Sequence, residues 1–466
     1  MPRKSSYLTV TDQFCGAGGS SQGVRRFAQR SGLGNGLQVK LALNHWTLAI
    51  ETHAHNFPET IHDCTDIQAC DPRYYPSTDI LVTSPECTNH SVAKGRKQVK
   101  AQLDAFDRGE QDPAAERSRA TMWDVVRFAE HHQYRIVITE NVVDARAWVL
   151  WDAWIMAMHN LGYHHQCVFF NSMFAWPTPQ SRDRMYVVFW KKGQRKPDLD
   201  IRPVAPCLKC GTVHAVQKFK PGANVKAKYG RQYVYVCPSC AKEVMPFYFA
   251  AINAIDWSLP AVRIKDRKRP LSEKTMARVA HGLQKYGSRP LIMTNQHSSG
   301  LDCRVKDATA QPAFTQSAVK GMAVASPFVI TLRGTSTNHL RSSASGLYDP
   351  IGTVSAGGVH HALVTSEVSG FLARYYGGSH VTMGLHEAVS TVSGKIGHAL
   401  VTGTTDARIE DLYYRMLVNP ELKRVMAFDE SYVILGKDEE VTMQLGNAVT
   451  PPAMEILIER CVESLM

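Results

Sequence analysis

A cysteine stands just beyond an apolar run in Asp79-Ile80-Leu81-Val82-Thr83-Ser84-Pro85-Glu86-Cys87. A short apolar run closed by Ser-Pro reads as a buried strand ending in a turn, which leaves the Cys87 thiol at a strand end. An unperturbed thiol is only about 3% ionised at neutral pH, so a nucleophilic role needs assistance. Glu140 follows a second apolar run, Ile136-Val137-Ile138, and supplies a carboxylate at an equivalent strand end. In Gln180-Ser181-Arg182-Asp183-Arg184 the side chains of Gln180, Arg182 and Arg184 fall on one side of an extended backbone, where they can position a phosphate or a base edge. Asp12-Gln13-Phe14-Cys15-Gly16-Ala17-Gly18-Gly19 is a glycine-rich turn between a strand and a helix, where backbone can approach a ligand closely. Each feature also has a purely structural reading: a buried thiol, a helix cap, a solvated strand face, a plain turn. Two further pairs, Cys207-x-x-Cys210 and Cys237-x-x-Cys240, form two short knuckles of the kind that holds tetrahedral Zn²⁺.

The elements that must position these residues alternate. Tyr7–Gln13, Leu37–Leu43, Asp79–Thr83, Ile136–Ile138 and Met185–Trp190 read as strands, and Ser20–Ser31, Thr47–Asn56, Arg119–His131 and Trp148–Leu161 as helices. That order predicts an α/β fold with a doubly wound parallel sheet, in which ligands bind beyond the carboxyl ends of the strands. Past residue 200 the pattern changes. Residues 291–402 are rich in Ser, Thr, Gly and Val. Thr353-Val354-Ser355 leads to His361-Ala362-Leu363-Val364-Thr365, and Thr391-Val392-Ser393 leads to His398-Ala399-Leu400-Val401-Thr402, a repeat of roughly forty residues.

The 466 residues suffice for two or three domains. Lys and Arg number 53 against 42 Asp and Glu, a net charge of +11, and cluster at Lys218, Lys220, Lys226, Lys228, Arg231 and at Arg263, Lys265, Arg267, Lys268, Arg269. An excess of that kind favours a polyanionic partner. Eleven scattered cysteines argue against a disulfide framework. No apolar run is long enough for a membrane span, and Tyr7-Leu8-Thr9-Val10 is too short for a signal peptide, so a cytoplasmic protein is expected.

The order of motifs decides among these readings. FCGAGG, then Asn56-Phe57-Pro58 with Asp66-Ile67, then PEC, ENV and QSRDR, then Arg415-Met416-Leu417 and a terminal QLGNAVTPP together resemble the DNA cytosine-5 methyltransferase family over residues 7–190 and 405–466. The resemblance implies a Rossmann-like S-adenosylmethionine-dependent methyltransferase sheet and methyl transfer to C5 of a flipped-out cytosine in double-stranded DNA. Cys87 matches the nucleophile that adds to C6, Glu140 the acid at the base edge, and Arg182, with Arg184, the residue supporting that site. Phe14, Cys15, Gly16, Gly18, Gly19, Asn44, Asp66, Ile67, Pro85, Asn447 and Val449 match the cofactor site.

The implied organisation is a catalytic domain over 1–200, a zinc-ribbon-like insertion over 201–250 with Lys218 to Arg231 on phosphate, a β-rich target-recognition domain over 251–404, and a segment over 405–466 completing the catalytic domain. The build resembles a monomeric bacterial or phage modification enzyme, of the kind found in restriction–modification systems. Two departures stand out. Glu86 replaces the usual proline before the nucleophile, where a carboxylate opposes thiolate formation unless it is turned away or neutralised. Asn44 replaces the usual acid on the cofactor ribose. The rival readings are an RNA enzyme of the same family, a catalytically silent DNA-binding homologue, and a variant for a modified base or donor.

Overall fold

The computed structural model describes residues 7–86, 113–222, 227–254 and 413–466, scattered positions between 256 and 276, and short strands between 291 and 404; for residues 113–120 and the strands from 291 to 414 it describes backbone alone. Cys87, Lys226, Thr353-Val354-Ser355 and Thr391-Val392-Ser393 lie outside the described residues. The chain divides into two units. One comprises residues 1–178, 182–248 and 427–466, and the other residues 179–181 and 249–426.

The first unit is built on β1 (Leu8–Gln13), β2 (Leu37–Asn44), β3 (Ile61–Cys64), β4 (Ile80–Thr83), β5 (Ile136–Asn141) and β6 (Tyr163–Asn171). After the two-residue β7 (Gln180–Ser181), which belongs to the other unit, β8 (Asp183–Lys191) completes the sheet in the order β3-β2-β1-β4-β5-β8-β6. The five strands from β3 to β5 run parallel, whereas β8 is antiparallel to both neighbours. The last pair departs from the all-parallel expectation. Only the 3₁₀ turn Ser172–Phe174 and the two-residue β7 separate β6 from β8, with no α-helix between them, so they pair as a long hairpin rather than through a crossover. The parallel strands β4 and β5 are buried along their whole length, as continuous Ile/Leu/Val runs require when both faces are covered.

Helices α1 (Gly19–Arg30), α2 (Thr47–Asn56), α3 (Pro113–His132) and α4 (Trp151–Asn160) connect these strands. A short α5 (Asn419–Val425) in the second unit precedes α6 (Asp438–Asn447) and α7 (Pro451–Leu465) in the first. α7 packs along α1. A Cβ at Gly19 would stand 2.0 Å from the Val449 carbonyl oxygen, and one at Gly23 2.7 Å from that of Pro451. Arg26 and Arg30 both reach Glu455 on α7, at 2.8 and 2.7 Å.

The four-cysteine segment belongs to the first unit. It forms a hairpin of β9 (Val204–Cys207) and β10 (Gly211–His214), and a sheet of β11 (Val216–Phe219), β12 (Tyr233–Val236) and β13 (Glu243–Val244). Its aromatic face packs on the end of β6: Phe219 meets Phe169, and Phe174 meets Tyr229 and Tyr235 edge-on.

In the second unit, antiparallel pairing joins strands at residues 262–263, 413–416, 398–404, 368–374, 382–384, 291–293 and 305–307 into one sheet. The strands His361–Ala362 and His398–Thr404, which begin the two copies of the His-Ala-Leu-Val-Thr repeat, lie in different sheets. Around α5, Arg415 grips Glu421 with two hydrogen bonds of 2.8 and 2.7 Å, and Glu421 also accepts from the backbone of Val418 and Asp256. Among the described residues no helix is long and apolar enough to cross a membrane.

The contact at Gly19 yields a prediction. Gly19→Ala forces a methyl into the Val449 backbone, and overpacking of that kind costs about 1–3 kcal/mol. The urea midpoint of the variant should fall accordingly, and an unchanged midpoint would show that α1 and the Val449 backbone before α7 are not in this contact.

Candidate active site

The parallel strands bring their carboxyl ends to one edge, so the glycine-rich loop after β1, Asn44 ending β2, Asp66 beyond β3, Pro85 after β4 and Glu140-Asn141 ending β5 share it. The loop is tightly turned. Phe14, Gly16 and Gly18 all have left-handed backbone, with φ of 55°, 50° and 80°. Its glycines differ in what they face. Among the described residues only the Phe14 carbonyl, at 3.9 Å, lies near the place of a Gly16 Cβ. Gly18 and Gly19 are closed off by the Tyr432 hydroxyl and the Val449 carbonyl, at 2.3 and 2.0 Å from their Cβ positions. Packing against the C-terminal segment is enough to require glycine at these two positions.

Cys15 is buried, and burial first and Asp12 second push its thiol well above the ordinary range, which makes it inert as a nucleophile. Asn44 is buried and its Oδ1 accepts from the backbone of Trp46 at 2.9 Å, leaving the amide nitrogen as a donor of different chemistry from the acid it replaces. Asp66 is exposed and accepts from Gln68, Ile67 is buried, Asn447 is exposed, and Val449 is buried. Hydrogen-bonding groups at the ends of β2 and β3, apolar Phe14 and Ile67, and the turn at Gly16 are a donor set that fits a nucleoside with a charged tail.

Around Cys87, the described neighbours are informative. Asn141 donates to the Pro85 carbonyl at 3.3 Å, tying the end of β5 to the residue two before the cysteine. The Glu86 carboxylate stands 3.7 Å from Nδ1 of His45. Glu140 forms an ion pair with Nε of Arg184 at 2.8 Å, both side chains being largely buried. Gln180 donates to Sδ of Met426 at 3.4 Å, while Arg182 donates to the carbonyls of Gly446 and Ala448 at 3.0 and 3.1 Å. The guanidinium that faces Glu140 is that of Arg184, and Arg182 fastens the 446–448 turn to β8.

Below the loop lies a chain of buried polar groups that the sequence does not announce. Ser21 donates to Asp12 at 2.6 Å, Nε2 of His53 lies 2.8 Å from the Ser21 hydroxyl, and Nδ1 of His53 lies 2.8 Å from Nε2 of His62. Burial, then the neighbouring His62 and Arg25, push His53 down to about 3, so the ring is neutral at pH 7 and passes one hydrogen bond on at each nitrogen. Burial raises the Asp12 carboxyl to about 7, against the Ser21 hydrogen bonds that lower it.

Away from the sheet edge, the sulfurs of Cys207, Cys210, Cys237 and Cys240 lie within 4.8 Å of one another, and those of Cys207 and Cys240 are 3.5 Å apart. Tetrahedral sulfur ligands at a Zn–S distance of about 2.3 Å stand about 3.8 Å apart, which this cluster accommodates. Gly211 and Ala241, each following the second cysteine of its pair, share a left-handed backbone. Burial pushes the Cys237 thiol up, but the N–H groups of Cys240 and Ser239 and the neighbouring thiols outweigh it and hold it at about 6. Of the basic residues in this segment, Lys218, Lys220 and Arg231 are exposed, whereas Lys228 is engaged by Asp144 at 2.8 Å and does not present an open charge to phosphate.

This sheet order with its antiparallel penultimate strand, and a ligand edge led by a glycine-rich loop, define a methyltransferase fold. The family described as C-5 cytosine-specific DNA methylase matches residues 8–220 and 357–463, and the chain belongs to that family. Among solved structures, an Entamoeba histolytica methyltransferase, EhMeth, aligns at 10% identity and a TM-score of 0.49, covering 98% of this chain and 99% of that one. A Spodoptera frugiperda DNMT2 mutant aligns at 13% identity and a TM-score of 0.49, with the same coverage. An Escherichia coli prophage-encoded protein, described as a putative DNA modification methyltransferase, aligns at 15% and 0.44, again covering 98% and 99%. No curated protein matches the chain.

The Asp12 carboxyl carries a pH signature. A raised folded-state pKa stabilises the fold fully below the unfolded value near 4, and that stabilisation is lost as pH rises towards 7. Asp12→Asn lacks this loss. Its stability relative to the unmodified protein should therefore climb by roughly 1.4 kcal/mol per unit from pH 4.5 to 7, and level off above 8. Urea unfolding across that range measures it, and a pH-independent difference would mean that Asp12 titrates as an exposed acid.

Proposed function

We propose that this cytosine-5 methyltransferase acts on duplex DNA, with Cys87 as nucleophile and S-adenosylmethionine as methyl donor. The observation that carries this reading is the buried Glu140–Arg184 pair at the ends of β5 and β8, tied through Asn141 to the backbone two residues before Cys87. C5 of cytosine is too weak a nucleophile to accept a methyl group unaided. The Cys87 thiolate adds its electron pair to C6, forming the S–C6 bond and moving density to C5 and N3. Glu140, held by Arg184, faces the N3 and exocyclic-amine edge; carrying a proton taken up from solvent, it donates to N3 and so offsets the negative charge raised by this addition, while its other oxygen accepts from the amine.

S-adenosylmethionine, when bound, supplies the electrophilic methyl group. Phe14, Cys15 and Gly16 would border its charged tail, Asn44 its ribose, Asp66 and Ile67 its adenine, and Pro85, Asn447 and Val449 would close the site, with Gly18 and Gly19 keeping the loop against the C-terminal segment. Loss of the C5 proton to a base, with return of the S–C6 electrons to sulfur, frees Cys87 and the product.

The same reading divides the labour of the chain. The sheet over residues 1–200, closed by 405–466, is catalytic. Residues 251–404 recognise the target, and the four-cysteine segment over 201–250 holds a structural Zn²⁺. The +11 net charge suits a nucleic acid partner.

The test incubates the protein with labelled S-adenosylmethionine and duplex DNA or transfer RNA, and analyses the digested nucleosides by mass spectrometry. We expect 5-methyl-deoxycytidine from DNA, none with Cys87→Ala, and a kcat lower by about 10²–10⁴-fold with Glu140→Gln. Label in RNA alone would replace the DNA reading, and product formed by Cys87→Ala would remove the nucleophile. Elemental analysis should find one zinc per chain, lost with Cys237→Ser; a metal-free protein would make the cluster a set of reduced thiols.

A further inference from the structure

The two acids nearest in sequence to the Glu140–Arg184 pair are both held by one short piece of the four-cysteine segment. Asp183 precedes Arg184 on β8, and its Oδ1 accepts from the backbone N–H of Tyr229 at 3.0 Å and from Asn171 at 3.1 Å. Its backbone carbonyl accepts from Nη1 of Arg184 at 2.9 Å, so Asp183 and Arg184 are linked beyond their peptide bond. Asp144 lies in the 3₁₀ turn Val143–Ala147 that follows Glu140 and Asn141, and it accepts from Nζ of Lys228 at 2.8 Å. Lys228 and Tyr229 are consecutive. One dipeptide thus grips the chain on both sides of the pair, on β8 before Arg184 and on the turn after Glu140.

That dipeptide is itself fixed to the cysteine cluster. The backbone N–H of Lys228 donates to Gln232 at 2.9 Å, and that of Gln232 to the Lys228 carbonyl at 2.9 Å. The Tyr229 ring packs against Tyr233 and Tyr235 of β12, and β12 runs directly into Cys237. The contacts are therefore continuous from the thiols through β12 to Lys228-Tyr229, and on to Asp183 and Asp144.

We propose that Lys228 and Tyr229 are positioning residues for the Glu140–Arg184 pair, and that metal in the cysteine cluster sets their place. The function assigned to that pair rests on the reading above; the coupling itself does not. Without the Lys228 charge, Asp144 loses a partner and the turn after Glu140 is free to shift. Without the Tyr229 N–H, Asp183 loses one of the donors that keep its carboxylate in place beside Arg184. Either change loosens a pair whose value lies in being aligned before the base arrives.

The test uses the full-length, metal-loaded protein labelled with ¹⁵N-arginine, and follows the Arg184 Nε–H resonance, assigned by its loss in Arg184→Lys. This proton lies in the ion pair with Glu140, so its exchange with water reports alignment without any turnover. In Lys228→Met we expect exchange at least about tenfold faster, with unchanged zinc content, and restoration towards the original rate in Lys228→Arg. Removing the metal with a chelator should move the signal as Lys228→Met does. If the pair acts on cytosine, kcat should fall by about tenfold in Lys228→Met while KM for S-adenosylmethionine stays within about twofold. An Arg184 signal indifferent to both Lys228→Met and metal removal would overturn the proposal, and a response to the variant but not to the chelator would overturn the metal's part in it. A protein that methylates no cytosine yet shows both responses would sink the functional reading and leave the coupling standing.

Discussion

The first unit depends on its last helix returning to its first. α1 and α7 are separated by more than four hundred residues of chain, yet no side chain fits at Gly23 against α7 or at Gly19 against Val449 just before it. Backbone contact at that distance demands that the two helices share one register, and Arg26 and Arg30 on Glu455 supply an electrostatic key for it. The consequence reaches the ligand edge. Tyr432 donates to the Ala17 carbonyl at 2.6 Å, and Arg182 holds the carbonyls of Gly446 and Ala448, so both the glycine-rich loop and the start of β8 are braced by the C-terminal segment. Long insertions are tolerated between the ends because the entropy of closing a loop grows only slowly with its length.

Electrostatic compensation is the second theme. Glu140 and Arg184 are both withdrawn from water, and a buried carboxylate that loses its partner is expensive. The pair therefore fixes the Glu140 carboxyl group at the strand end. Glu421 shows the same solution in the second unit, fully buried and satisfied by Arg415 and two backbone donors. Asp12 is solved differently, with no cation among its described hydrogen-bond partners, so burial shifts its titration to about 7 instead.

Much of the sheet was legible because its central strands are continuous apolar runs. Ile80–Thr83 and Ile136–Asn141 could be read from hydrophobicity, and the motifs at their ends followed. β3 and β6 were not read from the sequence. Ile61-His62-Asp63-Cys64 is an outer strand with no fully buried residue, and Tyr163-His164-His165-Gln166 begins the strand at the opposite edge, so neither carries an apolar run. The antiparallel β8 escaped because apolar content says nothing of direction. At the site, residue types were legible but partners were not. The row Gln180, Arg182, Arg184 reads as able to position a phosphate or a base edge, whereas its described partners, Met426, the carbonyls of Gly446 and Ala448, and Glu140, come from distant parts of the chain. Lys228 was read with a basic cluster for phosphate, yet its partner Asp144 lies 84 residues earlier, a pairing no local pattern encodes.

The placement of the four-cysteine segment follows from its size. About fifty residues bury too little apolar surface to fold securely alone, and small units of this kind rely on metal or on docking. Here the apolar residues Ala205, Ala215, Ala227, Tyr233, Tyr235 and Cys237 belong to the same buried cluster as Phe169, Phe170 and Phe174 of the sheet unit. A segment that borrows its core in this way cannot move as an independent body. Its hydrogen bonds to Asp183 and Asp144 are fixed by the same packing that fixes its fold. Between the thiols and those acids lie β12 and the edge-on and tilted contacts of Phe174, Tyr229 and Tyr235, so one set of contacts serves both the fold of the segment and its hold on β8 and the turn after β5.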